Sequence, residues 1–147
     1  MQSLKLFEGS EHRPFYWPRG RRGALLIHGF PGTPAEMLPL ARVLRGRGWS
    51  VCAPLLPGLG PDIERLAECR AQDWLGAVVR SAMQLSSMHQ PFVILGYSMG
   101  AALAAQAATQ VRSEGLILLA PFWRLGGAWV PGIWPLVRLF LRRVRPL

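Results

Sequence analysis

Four stretches of mainly apolar residues are spaced along the chain, at residues 24–27, 49–55, 92–95 and 116–119. Three of them contain no polar residue, which is typical of strands that are buried on both faces. Stretches with the helical spacing of apolar residues lie between them. This alternation predicts a mostly parallel sheet with connecting helices packed on both of its faces.

The segments between the strands carry helix and turn signals. Thr33, with Glu36 three residues later, has the pattern of a capping box at the start of a helix that ends near residue 46. Two further helices are predicted over residues 73–88 and 99–111, and residues 54–60 are predicted to form a loop because they are rich in Pro and Gly. Short strands are also predicted at residues 4–7 and 14–17, and a helix at residues 134–144.

The composition favours one globular domain. Half of the 147 residues are hydrophobic and 17% are charged, which is sufficient apolar material for a buried core. No segment approaches the roughly 18–20 uninterrupted apolar residues of a membrane span. With only two cysteines and no recognisable apolar leader segment, we expect a reducing, cytoplasmic location.

The net charge of +9 raises the question of a nucleic-acid partner. The basic residues are scattered, however, and no nucleic-acid-binding motif accompanies them, so we expect no such partner. The acidic residues end at Glu114, whereas five arginines follow it. This imbalance favours the expectation that the chain is a truncated piece of a longer protein.

The clearest chemical signal is the sequence Gly-Tyr-Ser-Met-Gly at residues 96–100, which directly follows an apolar strand and directly begins a helix. A serine on a sharp strand-to-helix turn projects its hydroxyl above the sheet as a nucleophile. Gly96 and Gly100 leave room for that turn. The alternative interpretation is that Ser98 is only an N-cap residue after a tight glycine turn.

A second signal follows the first apolar run, where residues 28–32 read His-Gly-Phe-Pro-Gly. The carboxyl ends of parallel strands are the ligand-binding edge of such sheets. The two glycines allow the backbone N–H of Phe30 to point into a site, and Met99 N–H is the second candidate donor for an oxyanion. For His28, a structural role within the loop is favoured over catalysis.

These motifs together resemble the N-terminal half of an α/β-hydrolase, nearest the carboxylesterase and monoacylglycerol-lipase group. The resemblance covers about residues 15–122 and includes the two motifs above, Ala53-Pro54, Pro57-Gly58-Leu59-Gly60 and Asp73-Trp74. It implies an α/β-hydrolase fold with Ser98 as the nucleophile, Phe30 and Met99 as oxyanion donors, and no metal or organic cofactor. Leu59 departs from the family, which commonly has histidine there.

A catalytic triad cannot be assembled from this sequence. In the family, an acid and then a histidine follow the serine along the chain. After Ser98 the only acid is Glu114, at the far end of the sheet, and there is no histidine. His89 precedes the strand that leads to Ser98, and His12 lies near the N-terminus. The base and the acid are therefore expected outside this sequence.

The last part of the chain allows two interpretations. Residues 1–122 are predicted to be the hydrolase core, and residues 123–147 the start of a cap over an acyl pocket. The predicted tail helix has an apolar side and a basic side, so weak contact with a membrane surface is the alternative. The cap is favoured because the family inserts one at this position.

The sequence leads to one preferred function and one rival. The preferred function is a serine hydrolase that cleaves carboxylic esters of medium or long acyl chains through an acyl-enzyme on Ser98, with a small-molecule acyl ester or monoacylglycerol as substrate. The rival is a catalytically incompetent module of the same fold that binds an acyl ligand or a partner. Because the strand at residues 116–119 would end the sheet, the chain by itself is also expected to self-associate.

Overall fold

A computed structural model describes residues 7–121, 124–125 and 128–129 of the chain. The predicted tail helix at residues 134–144 lies outside the described residues, as does nearly all of the segment assigned to a cap. None of the helices in the described ranges is both long and apolar enough to cross a bilayer.

The core of the molecule is a five-stranded sheet. Its strands lie in the order β1-β3-β2-β4-β5, and all neighbours are parallel except β1, which is antiparallel to β3. The strands are β1 (Phe15–Trp17), β2 (Arg22–Ile27), β3 (Trp49–Ala53), β4 (Phe92–Tyr97) and β5 (Gly115–Leu119). Two short strands, β6 (Arg124–Leu125) and β7 (Ala128–Trp129), pair separately with each other.

Helices cover both faces of the sheet, as the alternation of strands and helices predicted. They are α1 (Leu38–Gly46), α2 (Ala71–Met88) and α3 (Met99–Ala107). Side chains of β2 alternate between the faces: Leu25 and Ile27 belong to the cluster that includes α2 and α3, whereas Ala24 and Leu26 belong to the cluster that includes Ala41 of α1. Two separate apolar layers therefore hold one mostly parallel sheet.

Several element boundaries differ from the sequence-based expectation. Thr33 accepts a hydrogen bond from the Ala35 N–H, as a capping residue does, but a 3-10 helix, Pro34–Met37, comes before α1. Two further 3-10 helices are Ser10–His12 and Gly60–Glu68, and the latter begins at the end of the expected loop. The predicted strand at residues 4–7 is wrong at Phe7, which has a φ of 66° in a turn. Residues 4–6 lie outside the described residues, and the other predicted strand, β1, pairs with β3.

The register of the sheet determines which loops meet. Ile27 at the end of β2 is the partner of Gly96 near the end of β4. Because the two strands are parallel, their carboxyl ends lie side by side at the same edge of the sheet. The loop after β2 and the turn after β4 are thus neighbours, and these two segments carry the chemical signals of the sequence.

Candidate active site

Ser98 lies on a sharp turn between β4 and α3. Its backbone has φ 54° and ψ −118°, a combination that a residue with a side chain adopts only where the surrounding structure enforces it. The Ser98 N–H donates to the Leu119 carbonyl at 2.9 Å, which connects the turn to the end of β5. The turn between β4 and α3 is therefore strained at Ser98 and is tied to the neighbouring strand.

The two glycines of the motif are required by close backbone contacts. A Cβ on Gly96 would overlap the Gly100 carbonyl, and a Cβ on Gly100 would overlap the carbonyls of Ile27 and His28. The start of α3 can pack against the end of β2 only because these side chains are missing. The Gly-x-Ser-x-Gly pattern consequently has a steric reason in this chain.

The loop after β2 lies directly beside Ser98. A Cβ on Gly29 would be 3.1 Å from the Ser98 Cβ, closer than ordinary side-chain contact allows. The next residue, Phe30, has a side chain that is 48% exposed. The structure thus brings together the serine and the glycine loop that the sequence singled out separately.

His28 fixes the orientation of this loop. Its ring is fully buried, and Nε2 accepts the Leu56 N–H at 3.1 Å. The proton must then be on Nδ1, which donates to the Gly29 carbonyl at 2.9 Å. Both ring nitrogens are used within the loop region, which matches the structural interpretation of this histidine.

The state of His28 follows from its surroundings. Burial lowers the pKa of His28 from its ordinary value of 6.5, while the hydrogen bond to Gly29 and the nearby Glu36 carboxylate act in the opposite direction. The ring is therefore neutral at neutral pH. A neutral ring is what the pair of hydrogen bonds requires, because Nε2 can accept only when it carries no proton.

The Phe30 N–H and the Met99 N–H are the candidate oxyanion donors. In a trans peptide the carbonyl and the N–H point in opposite directions, so the bond from His28 to the Gly29 carbonyl turns the Phe30 N–H away from His28. Within residues 7–121, the Phe30 N–H donates to no other protein group. Met99 is the first residue of α3, where backbone N–H groups have no partner inside the helix.

No base contacts Ser98 within residues 7–121. His12 Nδ1 is 2.8 Å from Thr33 Oγ1, and His89 Nε2 is 2.7 Å from the Tyr16 hydroxyl, at the edge of the sheet opposite Ser98. With His28 committed to its loop, none of the three histidines of the chain serves the serine. Among the described residues, no three His, Cys, Asp or Glu side chains come together in a way that could hold a metal ion.

Aromatic and apolar side chains surround the two loops. The rings of Phe30 and Trp74 are 6.4 Å apart, and Trp74 Nε1–H donates to the Pro57 carbonyl at 2.8 Å. Leu59, the departure from the family pattern, is fully buried in the same apolar cluster as Leu56. The loop before the 3-10 helix Gly60–Glu68 is therefore held here by apolar packing.

For one residue at the site, Glu36, the structure shows a different role from the one that the sequence predicted. Glu36 was predicted to complete a capping box, but its carboxylate accepts the Gly29 N–H at 3.0 Å. The capping pattern concealed this contact because the same spacing from Thr33 satisfies both arrangements. The sequence feature that goes with this contact is Gly32, since a Cβ there would overlap the Glu36 carboxyl group.

Comparison with known proteins identifies the family. The model of the Alpha/beta hydrolase family matches residues 24–147, which is well over half of the chain. The chain belongs to the α/β-hydrolase family. The five-stranded, mostly parallel sheet and the strained turn at Ser98 are the parts of that fold that the described residues contain.

This α/β-hydrolase is similar to lipases and esterases. It is 38% identical over 102 residues to the thermostable monoacylglycerol lipase of Bacillus sp. (strain H-257), and 29% identical over 106 residues to a carboxylesterase of Bacillus subtilis (strain 168). These matches cover 69% and 71% of this chain, but 40% and 43% of the two relatives.

A solved structure of metagenome-derived lipolytic enzymes, LipS and LipT, has a similar fold. It superposes with a TM-score of 0.75 at 29% sequence identity, and the match covers 93% of this chain and 54% of the solved one. The hydrolase chain thus spans about half the length of the relatives that it matches, or less.

Proposed function

We propose that this α/β-hydrolase chain is part of a serine esterase that cleaves carboxylic esters through an acyl-enzyme on Ser98. The observation that carries the proposal is the strained turn at Ser98 beside the glycine loop after β2, where the Phe30 N–H has no protein acceptor within residues 7–121. A serine with a purely structural role needs neither feature. The names of the lipase and carboxylesterase relatives support the same reaction class.

In the proposed first step, Ser98 Oγ attacks the ester carbonyl carbon, and the carbonyl π electrons move to the oxygen. The Phe30 and Met99 N–H groups hold this oxyanion, and one such donor contributes about 10²–10³ in kcat. The Oγ proton passes to a base and from there to the departing alcohol. Water then attacks the acyl-enzyme in the same way, which releases the acid and restores Ser98.

The base and its orienting acid are proposed to lie on protein outside the 147 residues. All three histidines of the chain are engaged elsewhere, and the chain covers 40% of the monoacylglycerol lipase that it resembles. In this fold the acid and the histidine come after the serine in chain order. The part of the relatives that is not matched leaves ample length for both.

The proposed substrates are small esters with an apolar acyl or alcohol part. Phe30 is half-exposed next to Ser98, and Trp74 packs near its ring, so the entrance to the site presents aromatic surface. Aromatic surface of this kind favours apolar ligand groups. The monoacylglycerol lipase and carboxylesterase relatives place glycerol monoesters and simple carboxylic esters among the substrates to test first.

The test uses a fluorophosphonate probe and a nitrophenyl ester with the full-length protein. Both labelling and hydrolysis are expected to be abolished by Ser98→Ala, because a phosphonate reacts only with an activated hydroxyl. Ser87→Ala is the matched control, since the Ser87 hydroxyl is exposed and donates only to the Gln84 carbonyl in α2. Labelling that persists in Ser98→Ala would exclude Ser98 as the nucleophile and favour a binding module.

A further inference from the structure

Glu36 makes an unusual contact for an exposed side chain. It belongs to the 3-10 helix Pro34–Met37, yet its carboxylate crosses to the loop after β2 and accepts the Gly29 N–H at 3.0 Å. The carboxyl group occupies the space where Gly32 would carry a Cβ. The absence of a side chain on Gly32 therefore makes room for the contact.

Gly29 is consequently held on both sides. Glu36 binds its N–H, and His28 Nδ1–H binds its carbonyl at 2.9 Å. These two groups belong to successive peptide planes, so the two bonds together restrict the φ and ψ angles of Gly29. Glycine is otherwise the residue with the greatest backbone freedom.

A Cβ on Gly29 would be 3.1 Å from the Ser98 Cβ, so a larger residue there would push the loop and the nucleophile turn apart by a few tenths of an ångström. The close approach of the loop to the nucleophile thus favours glycine, the most flexible residue, at a position where orientation matters. The Phe30 N–H follows directly in the chain, and its direction is set by the Gly29 carbonyl. An oxyanion donor must reach its target within about 2.7–3.1 Å.

We propose that Glu36 is a positioning residue that, together with His28, holds the Gly29–Phe30 peptide so that the Phe30 N–H faces the oxyanion. This role rests on the proposed esterase function. The negative charge of Glu36 does not itself stabilise the transition state, because a carboxylate near a developing oxyanion opposes the charge that forms there. The feature that positions the loop is the Glu36 oxygen that accepts the Gly29 N–H, and the side-chain amide of glutamine provides such an oxygen as well.

The kinetic test compares Glu36→Ala with Glu36→Gln in the full-length protein. Loss of a hydrogen bond to a charged acceptor corresponds to about a 10- to 100-fold effect. We expect Glu36→Ala to lower kcat by that factor with KM changed less than about threefold, because the bond acts on the transition state. Glu36→Gln should retain at least about a third of the original kcat, since the amide oxygen still accepts the Gly29 N–H.

Glu64→Ala is the matched control. It removes an exposed carboxylate from the 3-10 helix Gly60–Glu68 that makes no hydrogen bond to Gly29, so kcat should stay unchanged. Equal kcat values for Glu36→Ala and the unmodified protein would overturn the proposal, as would equal losses in the Ala and Gln variants. If Ser98→Ala still hydrolyses the ester, the esterase function itself fails, and that result is separate from the Glu36 comparison.

A second measurement needs no activity and again uses the full-length protein. The NMR shift of the Gly29 amide proton should change markedly in Glu36→Ala, which removes its acceptor, and should change little in Glu36→Gln, where an amide oxygen still accepts the Gly29 N–H. A Gly29 amide that shifts equally in the two variants would overturn the contact on which the proposal depends.

Discussion

At the scale of single residues, His28 shows how the loop beside Ser98 depends on one neutral ring. The ring is buried, accepts from Leu56 and donates to Gly29. A protonated ring cannot accept from the Leu56 N–H, and its charge would be buried. Unfolding, by contrast, exposes the imidazole to water, where it titrates normally.

The pH dependence of stability follows from this difference. Burial places the pKa of His28 in the folded chain below 6.5, so below pH 6.5 the unfolded state binds more protons than the folded state. The free energy of unfolding should therefore fall as the pH drops below 6.5, by up to about 1.4 kcal/mol per pH unit from this group. Urea unfolding at about pH 7.5 and pH 5.5 measures the change.

His28→Gln supplies the comparison, because it removes the titrating group while an amide oxygen remains to accept the Leu56 N–H. We expect this variant to be less stable at neutral pH and to lose less stability between the two pH values. His12→Gln, at a histidine that is not fully buried, serves as the control. A wild-type chain and a His28→Gln chain with the same pH dependence would contradict the assignment of a neutral, buried His28.

The sequence allowed the positions of Ser98, Phe30 and Met99 to be predicted, and the structure places them at one edge of the sheet. Their catalytic roles stay predictions until the serine is tested. The contact of Glu36 with Gly29 could not be predicted, because it depends on how the 3-10 helix folds back over the loop. The spacing of the residues alone fitted a helix cap equally well.

At the scale of elements, the strands were the most predictable part of the fold. Strands β2, β4 and β5 coincide with apolar runs, since burial on both faces leaves no polar positions in them. The 3-10 helices were missed because their short repeats carry no distinct apolar period. The predicted end of the helix at residue 111 was also wrong, as α3 ends at Ala107 and single hydrogen-bonded turns follow.

The contact between α3 and β2 can be tested with two glycine substitutions. Gly100→Ala places a methyl group against the Ile27 and His28 carbonyls, so we expect a loss of about 1–3 kcal/mol in the free energy of unfolding. Gly46→Ala is the matched control, because no atom lies within 4 Å of its added Cβ. That control should gain about 0.4–1 kcal/mol, and thermal or urea unfolding compares the two.

The prediction is that the two substitutions change the free energy of unfolding in opposite directions. Alanine has the higher helix propensity, so propensity alone predicts stabilisation at both positions. A Gly100→Ala chain as stable as the Gly46→Ala chain would show that α3 does not approach β2 as closely as described.

At the scale of the whole molecule, the described residues leave an open edge and a partly exposed face at β5. Within the described residues, β5 is paired only with β4, so one row of its backbone groups has no strand beside it. Leu116 and Leu118 pack against the cluster that includes α2 and α3, whereas Ile117 and Leu119 are 43% and 42% exposed. An apolar, uncharged edge strand of this kind is a template for pairing with another chain.

We therefore propose that the 147-residue chain associates with a second copy of itself through β5. The charge of +9 opposes association at long range, but it is screened by salt beyond roughly 8–10 Å, whereas strand pairing acts at contact. The average mass in solution should rise above 16.3 kDa as the concentration increases. Light scattering over a concentration series at moderate ionic strength measures this.

Two lysine substitutions distinguish pairing at β5 from non-specific association through other parts of the surface. Ile117→Lys adds a charge to the exposed side of β5 and should shift association to higher concentration, as charges on edge strands do in other sheets. Val43→Lys adds the same charge at a 49% exposed position on α1, which packs against β3, three strands from β5 in the sheet, and should leave association unchanged. A monodisperse monomer at tens of micromolar would contradict association altogether, and equal effects of the two lysines would place the contact elsewhere on the molecule.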